Sequence, residues 1–77
     1  MSNHVVDVTI HLDETLVAHS REGIEDRLRD LEGVVSATSR DHTPHLVLVG
    51  YDPEVINSRT ILDTVTTTGV HAELVGM

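Results

Sequence analysis

From Val6 the chain alternates: Val6, Val8, Ile10 and Leu12 are apolar, while Asp7, Thr9 and His11 between them are polar. A two-residue period of this kind marks a strand with one buried face. The alternation stops at Asp13. Beyond it, Ser20-Arg21-Glu22 offers a helix N-cap with an acid in the first turn. Ile24, Leu28 and Leu31 then recur at helical spacing, and Gly33 stands where a helix C-terminus takes a left-handed residue. The pattern predicts a first helix over residues 20–31. Val34 to Arg40 reads as a second strand, Asp41-His42-Thr43-Pro44 as a turn, and His45 to Tyr51 as a third strand ended by Asp52-Pro53. Asn57 or Ser58 caps a second helix that carries Ile61, Leu62 and Val65 toward Gly69, with Thr66-Thr67-Thr68 expected to fray its end early. Val70 to Val75 closes the chain as a fourth strand.

Two βαβ-like halves joined by a hairpin predict an α+β, ferredoxin-like βαββαβ domain: a four-stranded antiparallel sheet, order 4-1-3-2, with two helices on one face. The 77 residues suffice for one domain over 1–77 and are too few for two. The expected core is Val6, Val8, Ile10, Ile24, Leu28, Leu31, Val47, Val49, Ile61, Val65 and Leu74.

Composition narrows the chemistry. Tyr51 is the sole aromatic residue, so the core must be aliphatic. There is no cysteine, which excludes disulfides, thiolate metal ligands and cysteine nucleophiles. Thirteen acidic against five basic side chains give a net charge of −8, a field that repels phosphate backbones. Nucleic acid is therefore not an expected partner, and a protein that docks electrostatically should present a basic face. No apolar stretch approaches the roughly 18 residues of a membrane span, and no basic-then-apolar leader opens the sequence. No membrane insertion is expected, and the cytoplasm is the expected location.

The residues also carry a family pattern. Ile24-Glu25 followed by Leu28, Leu31-Glu32-Gly33-Val34-Val35-Ser36-Ala37, Val49-Gly50-Tyr51-Asp52-Pro53, Ile61 and Gly69-Val70-His71-Ala72 occur in this order across nearly the whole chain. The set is similar to heavy-metal-associated (HMA) domains of copper chaperones and transporters. The resemblance implies the fold above and a metal-transport setting. That family works through a Gly-Met-Thr-Cys-x-x-Cys loop between strand one and helix one. Here its Met and Thr positions fall on Thr15 and Leu16, its two cysteine positions on Val17 and Ser20, and a later aromatic or Lys position on Val70. Cu(I) is soft and selects thiolate and thioether ligands, so valine and serine cannot hold it.

The 4-1-3-2 order also gathers His11, His19, His42, His45 and His71 toward one end of the sheet. Alternation puts His11 and His71 on the helix-free face of neighbouring strands, where cross-strand Cβ atoms lie about 5 Å apart. Facing each other there, with Asp13 and Glu73 as oxygen ligands, they would suit Zn²⁺, Ni²⁺ or Cu²⁺. Solvated surface imidazoles are the other reading, and the spacing His42-x-x-His45 reads as polar turn filling. The same face is expected to show Val5, Leu46, Leu48 and Val75 among Asp7, Thr9, His11 and Glu73. These apolar residues form a surface for a protein partner or a homodimer, unless they are merely scattered.

Catalysis finds no support. Acylphosphatase-like enzymes share the βαββαβ outline but need an arginine and exposed amides after strand one, where this chain has the acidic, glycine-free run Asp13 to His19. His11, Asp13, Glu14 and His19 offer acid and base groups without a nucleophile or oxyanion donor. ACT-like small-molecule sensing would also call for a glycine in that loop. The expected function is thus a non-enzymatic HMA-like domain acting through protein contact, with no cofactor. The alternative is a carrier or sensor of a borderline divalent metal.

The missing thiolates give a direct test. Under reducing conditions the protein should fail to retain Cu(I) against a strong chelator, and Val17→Cys combined with Ser20→Cys should create retention. Stoichiometric retention by the unaltered chain would contradict the reading of the loop.

Overall fold

β1 (Val6–Leu12), α1 (Ala18–Arg29), β2 (Val34–Arg40), β3 (Thr43–Tyr51), α2 (Ser58–Thr67) and β4 (Ala72–Val75) follow one another in a computed structural model that describes residues 4–75. The strands form one antiparallel sheet in the order β2-β3-β1-β4, which is the 4-1-3-2 arrangement. Both helices pack on the same face, α1 chiefly on β2 and α2 on β4, and they touch each other. This is the ferredoxin-like βαββαβ fold.

The alternation along β1 does what its period implies. Val8, Ile10 and Leu12 are buried beneath the helices, with Val47, Val49 and Tyr51 of β3 beside them and Ala37 of β2 beyond. Ile24 and Leu28 of α1 and Ile61 and Val65 of α2 close the layer from above. The core differs from expectation at its rim. Val6, Leu31 and Leu74 only partly leave solvent and pack around it, whereas Leu12, Ala37 and Tyr51 are fully inside. Val6 and Leu31 stand at element ends and Leu74 on an edge strand, where a second covering layer is lacking.

Element boundaries move for local reasons. The amides of Ser20 and Arg21 already donate to the carbonyl of Val17, at 3.0 and 3.1 Å, so the first turn of α1 closes before Ser20. Val17, extended at φ −69° and ψ 159°, is the N-cap and offers no side-chain cap; Ser20 is not the cap. Asn57 does cap α2, its side-chain oxygen accepting from the Thr60 amide at 2.8 Å. The threonine run does not fray early. Thr67 and Thr68 donate their hydroxyls to the carbonyls of Asp63 and Val65, and Val65 anchors that turn in the core. At Gly33, φ is +98° and a Cβ would lie 2.8 Å from side-chain atoms of Val55 and Ile56, so both backbone and space demand glycine.

β3 begins two residues earlier than the pattern predicts, and its pairing with β2 is irregular there. The register jumps from Ser39 opposite Val47 to Arg40 opposite Thr43, leaving Pro44, His45 and Leu46 in an irregular stretch. Pro44 has no amide to give to the ladder, which is why a proline is tolerated at such a place. β4, in turn, starts at Ala72 rather than Val70.

A polar seam joins α1 to β2. Arg21, only 5% exposed, donates to Asp41 at 2.6 Å and to Ser39 at 3.5 Å. Glu25, also buried, accepts from the Ser39 hydroxyl and from Arg29, whose guanidinium reaches the Ala37 carbonyl at 2.6 Å. Buried charges are costly unless paired in this way.

Leu28 is completely buried at the centre of α1. Leu28→Ala should lower unfolding free energy by about 2–5 kcal/mol, measured by chemical denaturation. A loss near zero would be incompatible with this core.

Candidate functional site

The end of β1 is where the polar and titratable groups converge. His11 points away from the helices, opposite Leu46 on β3 and opposite Glu73 on β4. Its Nδ1 lies 3.3 Å from Oδ1 of Asp13, two residues on. One ligand atom each from His11, Asp13 and Glu73 can be chosen so that all lie within 4.8 Å of one another. On the β3 side the ring of His45 stacks on that of His11, with centroids 6.1 Å apart and planes inclined by 20°. Regular alternation would have sent His45 to the face of Val47; the irregular stretch of β3 instead leaves the two rings side by side. His45 Nε2 also lies 3.3 Å from the Thr15 hydroxyl. His42, Thr43, Pro44 and Leu46 complete a shallow groove with these two rings.

His71 does not face His11. The register sets Glu73 across from His11 and Ala72 across from Leu12, so His71 lies beyond the paired region, where its carbonyl accepts from the Asp13 amide at 2.9 Å. Its Nδ1 lies 3.2 Å from a carboxylate oxygen of Glu14, which also accepts from the His71 amide at 3.3 Å. The expected pair fails because strand direction and face were right but register was two residues off. Register is set by which side chains of the two strands share the core, and a single sequence does not display that.

The apolar members of the face are uneven. Leu48 is 50% exposed and lies beside Thr9 of β1, with Val75 on Thr9's other side. Leu46 is half-buried next to His11, and Val5, 48% exposed, stands at the far end near Gly50. Val47 and Val49 between them are sealed in the core. Leu46, Leu48 and Val75 thus share one surface, while Val5 is apart from it.

Val17 and Ser20, the positions that correspond to the cysteines of the resembling motif, stand at the start of α1. Val17 is 71% exposed and Ser20 is also exposed, one at the N-cap and the other a turn later. Leu16, Ser20, Gly23, Ile24, Arg27, Thr68 and Val70 line an adjacent, mainly apolar groove. Neither residue offers a soft donor.

No protein-family model and no curated protein matches the sequence. Solved structures are similar in shape. The N-terminal domain of a potential copper-translocating P-type ATPase from Bacillus subtilis, in its Cu(I)-loaded state, matches with a TM-score of 0.85 and 23% identity, over 95% of this chain and 90% of that one. Oxidized MerP from Ralstonia metallidurans matches at 0.84 and 12%, over 95% and 100%. The yeast copper transporter domain Ccc2a matches at 0.79 and 23%, over 91% and 94%. The chain shares the βαββαβ fold of these structures. It contains no cysteine, so the shared fold does not bring thiolate chemistry with it.

Strand order alone gathers His45 toward this end, but its stacking on His11 depends on the irregular stretch of β3, which the pattern does not display. Glu14 reads from the sequence only as an acid of the loop after β1; its contact with His71, 57 residues away, follows from the pairing of β1 with β4.

The Glu14 carboxyl is held below its ordinary value, first by the hydrogen bond to the His71 side chain and then by the one to its backbone. A depressed carboxylate contributes stability above its unfolded pKa and loses it as pH falls through its folded pKa. The midpoint of the Glu14 side-chain carbon, followed by NMR, should therefore lie below that of a free glutamate, and His71→Ala should raise it. An unchanged midpoint in the variant would mean that the clamp is absent in solution.

Proposed function

We propose that this HMA-like domain is a non-enzymatic contact module in a metal-transport-related setting, working through the helix-free face of its sheet. The observation that carries the reading is the row formed by Leu46 and Leu48 with Thr9 and Val75, which no element of the described chain covers. Both helices lie on the opposite face, and the inner strands β1 and β3 present their outward side chains directly to solvent. A sheet face with an apolar centre ringed by polar groups is suited to docking another protein surface.

The fold supports the metal-transport setting, since similar structures include copper transporter domains. The absence of cysteine separates this chain from Cu(I) transfer through thiolates. Its net charge of −8 favours either a basic partner or a pairing in which the apolar row outweighs like-charge repulsion. Self-association is the form that needs no further molecule.

Leu48→Glu should leave thermal stability nearly unchanged, because the side chain is already half exposed, while abolishing association. In two-dimensional NMR of the unaltered chain, concentration-dependent shifts are expected at the amides of Thr9, Leu46, Leu48 and Val75. They should vanish in the variant. A sedimenting monomer at every concentration, with no such shifts, would remove self-association and leave only a different partner.

A further inference from the structure

We propose that His11, Asp13 and Glu73 form a binding site for a borderline divalent cation, with Zn²⁺ the first choice. This site is separate from the first turn of α1 and independent of the docking role of the apolar row. Three features carry it.

The first is convergence from two strands. Glu73 is fixed opposite His11 by the β1–β4 ladder, and Asp13 follows β1 directly with its amide held by the His71 carbonyl. Backbone pairing, rather than flexible loop geometry, therefore brings one imidazole and two carboxylates to one place. The second is distance. Two atoms each about 2.0–2.2 Å from a tetrahedral zinc ion stand roughly 3.4 Å apart, and His11 Nδ1 and Asp13 Oδ1 are 3.3 Å apart. Glu73 lies within 4.8 Å of both, a gap that an exposed side chain closes by rotation. The third is charge. Among the described residues, the ion pairs of Arg21, Arg29 and Arg59 all lie elsewhere, and Asp13 pairs with His11 itself.

The donor set names the ligand class. One imidazole nitrogen and two carboxylate oxygens suit Zn²⁺ and related borderline ions and lack the softness for Cu(I). Two carboxylates balance a divalent charge once the imidazole binds as its neutral form. His45 is not a ligand in this arrangement. It is a positioning residue, its ring stacked on that of His11 and its Nε2 beside the Thr15 hydroxyl. Three protein ligands leave a tetrahedral ion one open position, and His11 and Asp13 are well exposed. Such a site exchanges its ion with solvent or with a donor rather than locking it in place.

The full chain titrated with Zn²⁺ alone at neutral pH, followed by calorimetry and by NMR of the imidazole nitrogens, tests this. One ion per chain should bind, with the His11 ring resonances shifting most. Loss of an outer-shell partner alone costs about 10–100-fold in metal affinity, so His11→Ala and Glu73→Gln should each weaken binding at least that much. Glu73→Gln keeps the side-chain shape and serves if His11→Ala is unstable. His4→Ala and His71→Ala should bind as the unaltered chain does. The site is refuted by the absence of saturable heat. It is equally refuted by isotherms that do not change in His11→Ala or Glu73→Gln, or by loss of binding in His4→Ala or His71→Ala.

Discussion

The domain depends on the two faces of β1. This strand runs between β3 and β4, and its alternation decides which face of the sheet the core occupies. Val8, Ile10 and Leu12 must lie under the helices, because nothing but Tyr51 supplies aromatic bulk and the aliphatic core has no surplus area to lose. A slip of one residue would move all three to solvent and carry Thr9 and His11 inside. The register that protects the core is thus the same register that sets Thr9 between Leu48 and Val75, and His11 between Leu46 and Glu73. Packing on one side of the strand positions chemistry on the other.

The helical layer adds a polar counterpart. Arg21 and Glu25 occupy positions on α1 that face β2, and both are buried. Their charges are tolerated because Asp41, Ser39 and Arg29 complete the seam. Asp41 is itself highly exposed, so part of that pairing is weakened by solvent screening. The seam's main effect is geometric: it ties α1 to the tip of the β2–β3 hairpin. That tip carries His42 and leads into the irregular stretch where His45 meets His11.

Similarity of shape to copper transporter domains extends over almost the whole chain, yet the residues at the start of α1 are an exposed valine and a serine. A fold is maintained by its core, whereas an ion site is maintained by a handful of surface donors, and the two can change independently. The groups gathered at the end of β1 are imidazoles and carboxylates, which are harder bases than thiolates.

Residue patterns alone determined the element order, the sheet topology and most of the core, since periods of 2 and 3.6 are properties of local sequence. They also placed Leu48 outward and Val47 and Val49 inward, and excluded thiolate chemistry outright. They did not determine the start of α1, where a backbone turn closes at Val17 without any side-chain cap. Nor did they reveal the buried Arg21 and Glu25, whose polarity reads as surface until partners from another element are known. The histidines divide along the same line. That His11 faces away from the helices follows from alternation, but its neighbours are Glu73, Asp13 and His45 rather than His71. Which residues meet across strands is decided by register and by the irregularity at Pro44, and these arise only when distant segments pack together.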